Sequence, residues 1–204
     1  MTKKMLDNAY GLDGAEATRN FYDEWAASYD AEVTENGYVT PLRCAAALAK
    51  FCEDLDAPLL DIGCGTGISG SALKAAGFTT LDGCDFSAEM LEQARSKGHY
   101  RTLINTNLED PFPFEKGAYA NLAAIGVLNP GHAPASTLDE VLNLLEPGGL
   151  FVFSLNDHAM ADYTYEARLN EHVDCANAEL LFREYGPHLP KINLKSTVYV
   201  LRKT

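Results

Sequence analysis

Leu59-Leu60-Asp61-Ile62-Gly63-Cys64-Gly65-Thr66-Gly67-Ile68-Ser69-Gly70 decides the fold. A short apolar run carries an acid near its end, passes through alternating glycines and opens a helix that Gly77 closes. Glycine permits the tight turn and removes side chains that would keep a ligand off the backbone. Strand, glycine loop and helix in this order form the first βα turn of a doubly wound sheet. There a nucleotide-like ligand lies at the carboxyl ends of the strands.

The flanking sequence continues the alternation. Strands are expected at Phe78–Cys84, Tyr100–Asn105, Ala120–Val127 and Leu150–Leu155. Between them lie a helix from Ala88 to about Ser96, capped by Ser87 and followed by Gly98, and another from Thr137 to Leu145 stopped by Pro147-Gly148-Gly149. Such a series calls for a mostly parallel sheet with helices on both faces and right-handed connections. Upstream, Phe21, Trp25 and Tyr29 recur at i, i+4, i+8 on one face of a helix over Ala15–Tyr29. Thr40 is read as the cap of a second helix running from Pro41 to about Leu55. In the tail, Tyr163 to about Phe182 reads as a longer helix, and Ser196–Arg202 alternates like a closing strand that can run antiparallel. No repeat or linker divides the chain, so one domain over 1–204 is expected, with a helical cover over about 15–56.

The 204 residues suffice for one core. Lys and Arg total 16 against 29 Asp and Glu, 16 − 29 = −13, which disfavours nonspecific nucleic-acid binding and docking on anionic lipid. No run of about 18 apolar residues suggests a membrane span, and no apolar stretch in Met1–Asp13 suggests a signal peptide. The five cysteines, Cys44, Cys52, Cys64, Cys84 and Cys175, form no CxxC pair and read as reduced thiols of a cytoplasmic protein. No clustered Cys/His set points to a metal.

Two registers compete in the loop. Gly65-Thr66-Gly67-Ile68-Ser69-Gly70 is a literal GxGxxG, with Asp85 at the distance of a ribose-binding acid. In the other, Asp61 opens Asp-x-Gly-x-Gly-x-Gly. A carboxylate about 4 Å from a unit charge interacts by ~4 kcal/mol at an effective dielectric of ~20, repelling a pyrophosphate and attracting a cation. The second register therefore favours a cationic ligand.

At this point the chain resembles a known family. Leu59–Gly67 (LLDIGCGTG), Leu81–Arg95 (LDGCDFSAEMLEQAR), Asn107–Tyr119 (NLEDPFPFEKGAY) and Leu144–Leu155 (LLEPGGLFVFSL) are similar, in order, to the motifs of class I S-adenosylmethionine-dependent methyltransferases. Phe21–Asp30 and Glu92–Tyr100 also resemble the methyltransferase-like proteins named for the Williams–Beuren chromosomal region and bacterial small-molecule methyltransferases. The resemblance implies a seven-stranded sheet, Rossmann-like, whose last strand is antiparallel. It implies that Asp61 orients the loop and the methionyl amine of S-adenosylmethionine, and that Gly63, Cys64 and Gly65 lie against the methionyl part. Asp85 would accept from both ribose hydroxyls, and Phe86 would flank the adenine. Asn107 and Leu108 would meet the adenine edge. Ile125 would lie beneath the methionyl moiety, and Tyr29, with Tyr22 and Trp25, would cover the cofactor.

The pattern has departures. Asn107 stands where the family commonly has Asp, and an amide still both donates and accepts. Tyr119-Ala120 replaces a common Phe-Asp. A frequent Leu-x-His is here Leu128-Asn129-Pro130-Gly131-His132, with the histidine displaced. His132, His158 and Tyr163 are the candidates for a general base. Short lid segments suggest a small-molecule acceptor; the acidic charge disfavours nucleic-acid and membrane partners, and without a heptad or an exposed apolar run a monomer or weak homodimer is expected. The competing readings are an NAD-dependent oxidoreductase and a non-catalytic cofactor-binding protein.

Overall fold

The computed structural model describes residues 5–6, 14–106 and 111–204. Seven strands, β1 (Leu59–Ile62), β2 (Leu81–Asp85), β3 (Thr102–Asn105), β4 (Asn121–Ala124), β5 (Leu150–Asn156), β6 (Ala178–Leu189) and β7 (Leu194–Lys203), form one sheet in the order β3-β2-β1-β4-β5-β7-β6. β1 to β5 are parallel; β7 runs antiparallel between β5 and β6. The expected fold class, seven strands with an antiparallel last strand, is what the chain adopts. An antiparallel strand inserted beside β5 separates this order from the 3-2-1-4-5-6 sheet of dinucleotide folds.

β1 is buried on both faces because both are covered. Leu60 and Ile62 pack with Leu122, Phe151 and Phe153 under α5 (Thr137–Leu144) and α7 (Tyr163–Asp174). Leu59 points the other way, with Val152 and Val200, onto α2 (Thr40–Phe51) and α3 (Ile68–Ala75). α4 (Ala88–Lys97) follows β2, and Ser87 caps it by accepting from Met90 N at 3.1 Å. Gly98 ends it in the left-handed conformation. α6 (Asp157–Ala161) is a short turn between β5 and α7. A third cluster, Trp25, Val33 and Leu189, seats α1 (Ala15–Glu35) above the carboxyl ends of the strands.

Two expectations need correction. The helix begun at Tyr163 ends at Asp174; of the residues read as its continuation, 175–177 form the turn and 178–182 belong to β6. Ala176 turns the chain at φ 52°, and β7 has an outer edge of backbone N–H and C=O groups that pairing with β6 satisfies. Thr40 is the first residue of α2, not its cap. Its hydroxyl instead lies 2.8 Å from His188 Nδ1 and 2.9 Å from Ser196 Oγ, tying α2 to β6 and β7.

Candidate active site

The glycine loop between β1 and α3 floors a cleft at the carboxyl end of the sheet. Gly63 turns at φ +65°, and a Cβ there would stand 2.4 Å from Val127 Cγ2. At Gly65 (φ +52°) an added Cβ meets nothing within 4 Å, so the loop backbone faces open space. Cys64 N donates to Cys84 O (3.0 Å) and Gly65 N to Asp85 Oδ2 (2.9 Å), stitching the loop to the end of β2. Asp85 Oδ1 accepts from Ser87 N at 2.9 Å. The carboxylate is buried, and burial lifts its pKa to about 6 against the backbone hydrogen bonds that favour the charged form; the nearby charge of Asp23 adds to the rise.

Tyr29, Gly63, Cys64, Gly65, Asp85, Phe86 and Ile125 all line this cleft. Asn107 and Leu108 lie outside the described residues. Asp61 does not line the cleft. Its side chain is buried beneath the loop, where Oδ2 accepts from Ser69 Oγ and Tyr100 Oη, both at 2.6 Å. Oδ1 is buried with no partner among the described residues. Burial raises its pKa to about 6, with the Asp85 charge adding and the two hydroxyls opposing. Asp61 thereby grips the first turn of α3 through Ser69. Cys64 is buried, which pushes its thiol pKa well up; it is a wall of the site, not a nucleophile.

Of the candidate bases, His132 lines the cleft; its Nε2 lies 2.5 Å from Tyr22 Oη. Burial lowers its pKa, against the opposing pull of the Pro130 backbone. His158 is exposed, and Tyr163 is 84% exposed and belongs to the outer surface.

α1 roofs the cleft and is latched at several points. Asp23 accepts from Ser87 Oγ (2.5 Å), and Asp30 holds Thr66 Oγ1 and Lys97 Nζ (each 2.5 Å). At the other end Thr18 Oγ1 donates to Gly131 O (2.9 Å). Sequence reasoning singled out the aromatic stripe and missed these acids. The available signal was spacing: Asp23 and Asp30 are seven residues apart, two turns along one face of α1. Tyr38 and Gly126, also in the lining, carried no such signal.

Comparison with known proteins agrees with this geometry. The methyltransferase-domain family matches residues 60–153. The chain is 31% identical to human (Homo sapiens) methyltransferase-like protein 27 over 169 residues, which cover 81% of this chain and 68% of that one. Among solved structures, the [4+2]-cyclase SpnF superposes with a TM-score of 0.71 at 16% identity, covering 94% of this chain and 97% of that one. A methyltransferase from Thiobacillus denitrificans in complex with S-adenosyl-L-homocysteine gives a TM-score of 0.55 at 14% identity, covering 79% and 91%. Sheet order, glycine loop and kinship converge: the chain belongs to the class I S-adenosylmethionine-dependent methyltransferases.

Proposed function

We propose that this protein moves a methyl group from S-adenosylmethionine, leaving S-adenosylhomocysteine, to a small-molecule acceptor by direct in-line displacement. The observation that carries the reading is the Asp85 carboxylate at the end of β2. Each of its oxygens accepts one backbone N–H, and a carboxylate has roughly four lone-pair sites, so capacity remains for two ribose hydroxyls. The residues fit the cofactor in a second respect: the space above Gly65 is what a methionyl chain against bare backbone needs. The cleft, its open mouth included, holds about 1160 Å³ of empty space, room for a ligand of nucleoside size.

Each residue then has a task. Asp85 binds the ribose, and Phe86 flanks the adenine, whose edge Asn107 and Leu108 meet. Gly63, Cys64 and Gly65 line the methionyl part over Ile125. Tyr29 and Tyr22 exclude water from above. Asp61 keeps Ser69 and Tyr100, and so the loop, in place. When bound, S-adenosylmethionine supplies a methyl group made electrophilic by its sulfonium. The protein's main contribution is alignment, worth several kcal/mol when two reactants are held in line.

The acceptor reading is supported by the short lid segments, and the acidic surface speaks against nucleic acid and anionic membrane partners. No described helix is long and apolar enough to cross a membrane. Five free cysteines support a cytoplasmic setting. The same reading takes residues 1–204 as one domain, monomeric or weakly dimeric.

Titration calorimetry with S-adenosylmethionine, S-adenosylhomocysteine and NAD tests the proposal. Binding of the first two, lost in Asp85→Ala, is expected; binding of NAD alone would overturn it. A second reading, a non-methylating use of the fold, is favoured by the likeness to a [4+2]-cyclase. Methyl transfer to any acceptor in a metabolite screen excludes it.

A further inference from the structure

A side pocket opens off the cofactor cleft beneath α1. Cleft and pocket share Tyr22, Tyr29, Tyr38, Gly126 and His132, and the pocket runs on to Trp25, Asn129 and His188. Its empty space, open mouth included, is about 420 Å³ against about 1160 Å³ for the cleft, so it is the smaller side arm of that cleft and has room for a small molecule, not a polymer. Its lining contains no Asp, Glu, Lys or Arg.

Three polar atoms there are buried without a hydrogen-bond partner among the described residues, Trp25 Nε1, Asn129 Oδ1 and His132 Nδ1. Trp25 and Asn129 are 1% and 4% exposed. Buried polar groups are ordinarily paired, so each unpaired one calls for a missing partner. An indole N–H only donates and a carboxamide oxygen only accepts. A hydroxyl group offers both complements, a lone pair and a proton. The surrounding rings, Tyr22, Trp25, Tyr29 and Tyr38 with His132 and His188, favour a flat aromatic partner. The absence of any counter-charge in the lining disfavours an ammonium or carboxylate substituent.

Resting on the methyltransferase reading, we propose that this pocket is the acceptor subsite and that it takes a small, uncharged phenol, methylated on oxygen. His132, at the junction of pocket and cleft, is the base. The phenol O–H gives its proton to Tyr22 Oη, which passes its own proton to His132 Nε2, 2.5 Å away; the phenol oxygen's electron pair forms the O–CH3 bond, and the S–CH3 bond breaks with its pair passing to sulfur. An imidazole is a weak base, which selects among hydroxyls. A phenol of pKa near that of tyrosine, about 10, is within its reach, whereas an alkanol near water, about 15.7, is not.

Trp25 is the chain's one tryptophan, so its fluorescence reads the pocket directly. In the full-length protein, titration with p-cresol is expected to give a saturable change, with tyramine and 4-hydroxybenzoate at least tenfold weaker. Asn129→Leu should weaken p-cresol about tenfold, the loss of one hydrogen bond, while S-adenosylhomocysteine affinity by calorimetry stays within about threefold. Trp25→Phe, followed by calorimetry, should do the same if Asn129→Leu does not fold. His132→Gln should keep p-cresol binding and lose its methylation, and benzyl alcohol should not be methylated by the wild type. No saturable response to p-cresol, equal binding of tyramine, or an unchanged affinity in both pocket variants overturns the subsite. Failure to bind S-adenosylhomocysteine is a separate result: it sinks the methyltransferase reading and with it the acceptor role.

Discussion

Asp85 is one side chain with two duties, bracing the glycine loop through Gly65 N and facing the cleft. On the proposed function, protonation would weaken its hold on the ribose, since hydroxyls donate best to a carboxylate. With a pKa of about 6, S-adenosylhomocysteine affinity should fall as pH drops below about 6, by up to about tenfold per unit. Calorimetry from pH 5 to 8 checks this, and Asp85→Asn should flatten the profile. Stability follows the opposite trend for Asp61. Its folded value is raised from 3.8 to about 6, so the native state holds a proton that the unfolded chain has lost. That contribution is fully present below about pH 4 and is lost as pH rises through 6. Urea denaturation at pH 4.5 and 6.5 should show a smaller decline in Asp61→Asn than in the wild type. Gly63→Ala combines a positive φ with a 2.4 Å clash on Val127, and should cost about 1–3 kcal/mol in the same assay. Gly63, Gly65 and Asp85 were legible because loop chemistry is local in sequence. The inward turn of Asp61 was not, because Tyr100, which holds it, arrives from the approach to β3.

At the scale of elements, α1 matters most. Its latches fall on the glycine loop and on α4, so the roof is tied to the parts that would grip the cofactor. Ser87 serves twice, accepting from Met90 N as the cap of α4 and donating to Asp23 on α1. Ser87→Ala should cost about 1–2 kcal/mol, a melting shift of roughly 2–8 °C in a chain of this size. It should also raise hydrogen exchange in α1 more than in β1, which exchange mass spectrometry resolves. The Asp30–Lys97 pair is partly exposed and adds at most about 1 kcal/mol. Periodicity exposed α1 and the β-α alternation, since their apolar residues face one direction. β6 was hidden: it is an edge strand, mostly solvent-facing, with register shifts at Leu180/Phe182 and Pro187/Leu189 that break any alternation. Its early residues, Glu179-Leu180-Leu181-Phe182, carry helix-favouring types, and only β7 decides otherwise. The pocket wall was equally hidden, because Trp25, Asn129 and His188 come from α1, the loop after β4 and the end of β6.

At the scale of the whole molecule, a net charge of −13 imposes self-repulsion on the compact state. Stability should rise between 10 and 150 mM NaCl as the Debye length falls from about 30 to 8 Å, measured as a higher urea midpoint. The fold class itself was the most legible feature, since a seven-stranded sheet with an antiparallel last strand is what the four motifs, in their order along the chain, imply by resemblance. The roof over the cleft carries a further consequence for tempo. On the proposed function, a lifting of α1 to release the spent donor would part Asp23 from Ser87, Asp30 from Lys97 and Tyr22 from His132 together. Egress, not bond-making, is then expected to pace each cycle, so a pre-steady-state burst of methylated product should precede a slower steady rate that Asp30→Ala accelerates.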